Sequence, residues 1–362
     1  MTTIVDGQAG ITFPDSSAQG TAGYTGFRNR IINGNMVVDQ RNAGAAVTPT
    51  NTQYLVDRFS FYCSQPSKFT AQQNAGSVTL PAGFTKYQGL TVASAYSVTS
   101  TDFFLLSQKV EGFNVADLAW GTASAATVTL SFRVYSSLTG TFGGAIRNGA
   151  NNRFYLFSYT VSSTNTWTSI SVTIAGDTTG TWATDNTTGI EVLWGLGVGP
   201  TYSGTAGSWS GTVSLAPTGA TSVVGTNGAT FYITGVQLEK GSVATPFEFR
   251  QFGTELALCQ RYYTKLSSNS SYTPFGTGHG VTSTSFRTMF NLPVPMRAAQ
   301  TVSYGGTFIW AFGNSTTLNA LAAWGPTTAS MDCTSTGITA FYCYTLTDAG
   351  SNNSYIAFSA EL

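Results

Sequence analysis

The stretch ATVTLSFRVY (126–135) alternates Val128, Leu130, Phe132 and Val134 with Thr129, Ser131 and Arg133. A period of two is what a strand with one buried face and one wet face produces. Four further stretches, 153–161, 167–174, 189–196 and 230–238, repeat the pattern with β-branched and aromatic residues. Turn-forming connections such as GDTTG (176–180) and GTNG (225–228) separate such stretches. Short strands at this spacing predict an antiparallel sandwich of jelly-roll type. Helical spacing is confined to TELALCQRYY (254–263), where Thr254 is the expected cap and Leu256, Cys259 and Tyr263 share one face. The expected class is all-β. A short N-terminal segment (1–24) precedes a jelly-roll β-sandwich (25–250), and a smaller C-terminal β-domain (251–362) opens with the short connecting helix.

Composition narrows the function. Only 9% of the residues are Asp, Glu, Lys or Arg, against roughly a quarter in an average globular protein. Polarity comes from Gly, Ser, Thr and Asn, and the 16 basic and 16 acidic residues cancel. No basic stripe of the kind that neutralises phosphates is present, so nucleic acid is not an expected partner. The opening MTTIVDGQAG has neither a basic nor an apolar signal region, and no run reaches the ~20 apolar residues of a membrane helix. Cytoplasmic assembly without membrane insertion is the expectation. Cys63, Cys259, Cys333 and Cys343 match no zinc spacing. Buried free thiols are the favoured reading, with a Cys333–Cys343 bridge as the alternative after release from the cell.

Catalytic signatures are missing. There is no GxSxG, HExxH, Walker loop or helix-opening GxGxxG. The single histidine, His279, sits in GTGHGVTS (276–283) with no acid nearby and reads as an exposed loop residue. Asp177, Asp185 and Glu191 cluster around Trp182, and a glycosidase needs only two carboxylates. In GDTTGTWATDNTTG (176–189), however, Asp and Asn stand where turn residues bond their own backbone. No enzyme, catalytic residue, metal or cofactor is expected.

Three stretches resemble tailed-bacteriophage fibre and tail proteins. VDGQAGITFPDSSAQGTA (5–22) looks like a short segment common at the start of, or between the domains of, such fibres. NRIINGNMVVDQRN (29–42) with YLVDRF (54–59) resembles the first strands of a sandwich module frequent in phage tail proteins, and FYITGVQLEKGSVATPFEFRQFGTELALCQRYY (231–263) resembles its last strand and exit. The sandwich ends also resemble galactose-binding-like carbohydrate-binding modules, in which carboxylates near the start and in the final strand hold a structural calcium. Here Asn35 and Thr234-Gly235 stand at those places, which weakens ligation of a hard cation. The resemblance implies a virion-located homotrimeric fibre subunit, attached to other virion proteins through residues 1–24 and adsorbing to a host-surface glycan or protein. An architectural capsid, baseplate or tail component and a glycan depolymerase are the alternatives. Sugars stack on exposed rings, so the candidate ligand-binding residues are Trp324, His279, Tyr304 and Trp209. In a fibre anchored by its N-terminus, residues 264–362 form the distal tip. There the segments around His279, 304–310 and 321–325 are the expected glycine-rich contact loops, with Trp324 held by Gly325-Pro326. Trp194, inside IEVLWGLGV (190–198), is expected in the core, and Trp310, in TFIWAF (307–312), on a strand.

Overall fold

The computed structural model describes residues 27–310, 314–323, 325–350 and 353–362, and, within the first 26, the short strands Ile4–Asp6, Gly10–Thr12 and Ala18–Gln19. The remainder of the attachment segment expected over 1–24 lies outside the described residues. The alternating stretches become long antiparallel strands. In chain order the sandwich strands are β1 (Ser60–Cys63), β2 (Phe69–Gln73), β3 (Gln88–Val92), β4 (Phe103–Glu111), β5 (Val128–Ser136), β6 (Gly140–Asn148), β7 (Phe154–Val161), β8 (Thr168–Ile174), β9 (Thr188–Val198) and β10 (Thr230–Lys240). One sheet runs β7-β6-β9-β4-β1, extended at its ends by the short strands Trp209–Ser210 and Gln53–Tyr54, and the other runs β8-β5-β10-β3-β2.

Between the sheets Phe61, Phe69, Phe104, Phe132, Phe142, Phe157 and Trp194 are buried. Each such side chain contributes ~1.5–3 kcal/mol. The Trp194 ring meets Phe132 nearly at right angles, 5.9 Å between centroids, and so lies in the core as its apolar run predicts. Strand β5 sends Val128, Leu130, Phe132 and Val134 inward as the alternation requires. Thr129 departs from the expected wet face: it is buried, and its hydroxyl donates to the Gly241 carbonyl at 2.9 Å because the chain leaving β10 folds over it.

The first strand region closes on the last. Asn29 accepts from the Leu238 amide and donates to the Val236 carbonyl, and Arg30 N donates to Leu238 O. A Cβ on Gly34 would stand 2.1 Å from Val236 O, so only glycine permits this approach.

The helix α1 (Phe252–Gln260) begins earlier than expected. Gln251, not Thr254, is its cap residue and makes no side-chain capping bond, while Tyr263 already belongs to the next strand. Leu256 and Cys259 pack with Tyr262, Ile32 and Val38. Beyond α1 come β11 (Tyr263–Ser267), β12 (Pro274–Thr282), β13 (Ser285–Asn291), β14 (Thr301–Gly305), β15 (Phe308–Trp310), β16 (Asn314–Ala323), β17 (Thr328–Thr334), β18 (Cys343–Asp348) and β19 (Tyr355–Ser359). The order β12-β13-β17-β16-β15-β18 closes into a barrel, and β11-β19-β14 forms a separate sheet. Cys63, Cys259 and Cys333 are buried thiols, whereas Cys343 is exposed; all four are free. Burial pushes the Cys333 thiol up to about 12. Among the described residues no helix is long and apolar enough to cross a membrane.

A polar cluster joins the sandwich to the C-terminal unit. Arg58, 1% exposed, pairs with Glu361, as does Arg41 at 2.7 Å. The Arg58 guanidinium also lies over the Tyr262 ring, 3.5 Å from its centroid. Glu111 accepts from both Arg261 (2.6 Å) and the Tyr262 hydroxyl (2.6 Å). Arg297 donates to the Asn186 and Glu361 carbonyls. Beside the cluster, Asp57 is buried and accepts from the Gln40 amide at 2.6 Å and from Gln40 Nε2 at 3.0 Å.

Burial raises Asp57 from 3.8 to about 6 despite those bonds and the nearby Arg41. Its folded value lies above its unfolded one, so folding favours the protonated acid. That contribution is complete below about pH 4 and is lost as pH rises through about 6. Asp57→Asn should therefore gain melting temperature relative to the parent on going from about pH 4 to about pH 7.5. A difference between the two proteins that does not change with pH would remove Asp57 from the titration.

Candidate functional site

Strand alternation places Ser131 and Arg133 on the outer face of β5, and the register sets Ser171 and Ser169 of β8 beside them. On the other side of β5, strand β10 carries a bulge between Thr234 and Gln237. Within it Gly235 adopts φ +63°, and a Cβ there would lie 2.9 Å from the Phe84 ring. The bulge and its glycine thus let Phe84 lean over the sheet. The segment leaving β10 returns with Thr245, Pro246 and Phe247 to close the third side. The result is a groove of about 220 Å³ lined by these residues, with Ile170 and Ala244. It is smaller than the roughly 300–1,000 Å³ of drug-sized pockets, and suits one ring of a longer ligand.

Its walls differ in chemistry. Phe84, Phe247 and Phe249 form a mutual cluster with centroids 4.9–5.3 Å apart, and Phe249 is 53% exposed. Opposite stand the hydroxyls of Ser131, Ser169, Ser171 and Thr245. The Arg133 guanidinium lies 5.3 Å from the Phe84 centroid and donates to Ser169 Oγ at 3.2 Å. None of the lining residues is acidic. The nearby Glu239 is buried and engaged by the Thr245 amide (2.9 Å) and hydroxyl (2.6 Å), by Gln237 Nε2 (2.8 Å) and by Arg28 (3.9 Å). An aromatic wall facing hydroxyls and a cation can hold a polyhydroxylated ring by stacking and hydrogen bonds.

The residues singled out from sequence do not meet at one place. Trp209 sits at the edge of the β7 sheet, edge-on to Trp120 (5.2 Å) and Trp182 (5.4 Å), and its Nε1 donates to Ala175 O at 2.7 Å. His279 is exposed, but on β12 opposite Cys343 and Arg287, not in a loop. The neighbouring glycines serve close strand contact rather than loop freedom: a Cβ on Gly278 would stand 1.6 Å from Arg287 O. Tyr304, 46% exposed on β14, donates its hydroxyl to Leu318 O at 2.8 Å. Residues 304–305 and 321–323, expected as loops, likewise belong to strands. Trp310 lies on β15 as expected, edge-on to Tyr344. Trp324 lies outside the described residues.

The acids near Trp182 are spent on structure. Burial works against ionisation of Asp177, but the Arg153 fork at 2.6 and 2.8 Å and the Thr179 amide hold it below the usual carboxylate range. The Thr187 hydroxyl and amide lower Asp185. Glu191 is buried between Ser107 and Arg147. A glycosidase acid needs a raised value instead.

At the calcium positions of the modules resembled, the Thr234 hydroxyl is committed to Lys86 O and Gly235 to Phe84. Among the described residues no three His, Cys, Asp or Glu side chains gather as metal ligands would. Asn35 Oδ1 is buried without a hydrogen-bond partner, but with no carboxylate at any of these positions the set is poorly matched to a structural calcium.

The sequence matches no protein-family model, and no curated protein is similar to it. Solved structures resemble this chain at low identity and low TM-score. The module TmCBM61 in complex with β-1,4-galactotriose is 10% identical, covering 59% of this chain and 99% of that one, with a TM-score of 0.31. The family 11 carbohydrate-binding module from Clostridium thermocellum is 10% identical over 55% of this chain and 98% of its own, with a TM-score of 0.28. The enzymatically active domain of bacteriophage CBA120 tailspike protein 4 is 11% identical over 59% of this chain and 21% of that one, with a TM-score of 0.31.

Proposed function

We propose that this chain is a non-enzymatic fibre subunit of a tailed bacteriophage whose sandwich binds a glycan on the host surface. The observation that carries the glycan part is the groove on the outer face of β8-β5-β10, where aromatic rings face hydroxyls and a guanidinium. The phage part is supported by the stretches 5–22, 29–42 and 231–263. On this reading residues 1–24 attach the chain to other virion proteins and assemble it as a homotrimer.

A second reading places receptor contact on the C-terminal unit, and one observation favours it. Phe341 and Tyr342 are 89% and 66% exposed, and Phe341 holds φ +67°, a backbone region that a bulky residue rarely occupies. The turn is pinned on both sides: Gly280 N donates to Tyr342 O and Phe341 N to Gly280 O, while the Tyr344 hydroxyl contacts Thr339 N and O. A fixed backbone that presents two rings to water loses less freedom on binding than a mobile loop.

The full-length protein should adsorb to host cells, compete with host polysaccharide, run as a trimer by light scattering and release no reducing sugar. Phe247→Ala should weaken adsorption about tenfold, the size of one lost aromatic contact. If Phe247→Ala binds normally while Phe341→Ala with Tyr342→Ala does not, the second reading replaces the first. Absence of any adsorption favours the architectural role.

A further inference from the structure

Arginine is scarce in this chain and nearly every one is spent. Arg28, Arg30, Arg41, Arg58, Arg147, Arg153, Arg250, Arg261 and Arg287 each pair with a carboxylate. Arg297 donates to the backbone carbonyls of Asn186, Ala360 and Glu361. Among the described residues Arg133 alone meets neither a carboxylate nor a carbonyl, its partners being a serine hydroxyl and the face of Phe84. It is half-buried on a groove with no acid in its lining. The one carboxylate close behind that lining, Glu239, is already neutralised by Arg28 and saturated by Thr245 and Gln237.

We infer that the groove is specific for an acidic saccharide, with the Arg133 guanidinium receiving the carboxylate of the sugar. This deepens the glycan-binding reading of the same groove and rests on it. A guanidinium offers several N–H donors in a planar fork that matches a carboxylate in two parallel bonds. One donor contacts Ser169, which leaves others for a ligand. Phe84 on one side and Ser169 on the other fix the plane of the fork in advance, so little rotamer freedom is lost when the ligand arrives. Ser131 and Ser171 lie where they can take ring hydroxyls, and Phe247 offers the apolar face of the sugar a surface to stack on. A neutral sugar would leave the partly desolvated cation without a counter-charge, and that difference is the source of discrimination. By contrast, the cavity on the opposite sheet, lined by Ser203, Thr205, Ser208, Ser210, Thr212 and Ser214, carries no cation.

The test uses the full-length protein and an array of matched glycan pairs, sialate against sialate methyl ester and uronate against uronate methyl ester, so that the carboxylate charge is removed while the sugar ring is kept. The parent should bind acidic members at least about tenfold better than their neutral partners, as one charge-assisted bidentate contact allows. Arg133→Gln should erase that preference and Arg133→Lys should keep part of it, both at unchanged melting temperature. Binding to acidic members should weaken with added salt. Equal binding of acidic and neutral members, sensitive to Phe247→Ala, would leave the groove a glycan site and overturn the acidic class. Binding that ignores both Arg133→Gln and Phe247→Ala would move the site to another surface and overturn both readings. No retention of any acidic glycan also overturns the assignment.

Discussion

Leu130→Asp should leave the sandwich unfolded at room temperature. Leu130 is fully buried at the middle of β5, flanked by Val172 on β8 and Leu238 on β10. The new carboxylate would meet no donor there, and an unpaired charge in such a place costs several kcal/mol or forces its own protonation. That is a large fraction of the ~5–15 kcal/mol that holds a typical domain together. Ser131→Asp, one residue along, points into the groove instead. It should shift stability by only about half a kcal/mol while placing an anion beside Arg133 and abolishing binding of an acidic ligand. Urea midpoints of the two variants read the contrast, and equal losses would mean that β5 is set one residue out of register.

Glu361→Ala should cost about 3–5 kcal/mol, the usual penalty for stranding one member of a buried ion pair. Arg58 would be the stranded group, covered by Tyr262 and tied by its other donor to Lys109 O at 2.7 Å. Because the pair joins the C-terminal unit to the sandwich, the loss should fall on their docking, so that one thermal transition becomes two. The double variant Arg58→Met with Glu361→Ala should recover part of the loss, since it removes the uncompensated charge. A single transition near the parent's temperature would assign the junction's stability to Glu111 and Arg261 instead.

The sandwich was legible because period two is a direct imprint of a half-buried strand, and 126–135 carries it with few interruptions. The barrel was harder to read. His279 and Tyr304 stand among glycines that the sequence presents as loop signals, yet glycine there answers a steric demand from neighbouring chain, a fact only the paired strands reveal. Thr129 was misplaced for a related reason: alternation tells which side a residue faces, not what later folds over that side. Cys343 and the start of α1 depended on local exposure and on a cap without a side-chain bond, neither of which leaves a pattern.

The groove was visible only in fragments. Ser131 and Arg133 could be placed on an outward face, and the alternating aromatics of TPFEF (245–249) were evident. Their meeting, however, depends on a bulge in β10 and on Phe84, more than a hundred residues away. The available signal was compositional: an arginine set among serines on a wet strand face, in a chain where charge is rare.

The seam between Asn29 and Val236 spans 207 residues of sequence, and that between Arg58 and Glu361 spans 303. The first contact cannot form until synthesis has passed Val236 and the second until it reaches Glu361, and contacts of such separation make folding slow. The nascent sandwich must therefore wait with β5 and β9 apolar faces incompletely covered, a state prone to self-association. Native yield should depend on how long that wait lasts, so slower synthesis and lower temperature would favour soluble protein over aggregate.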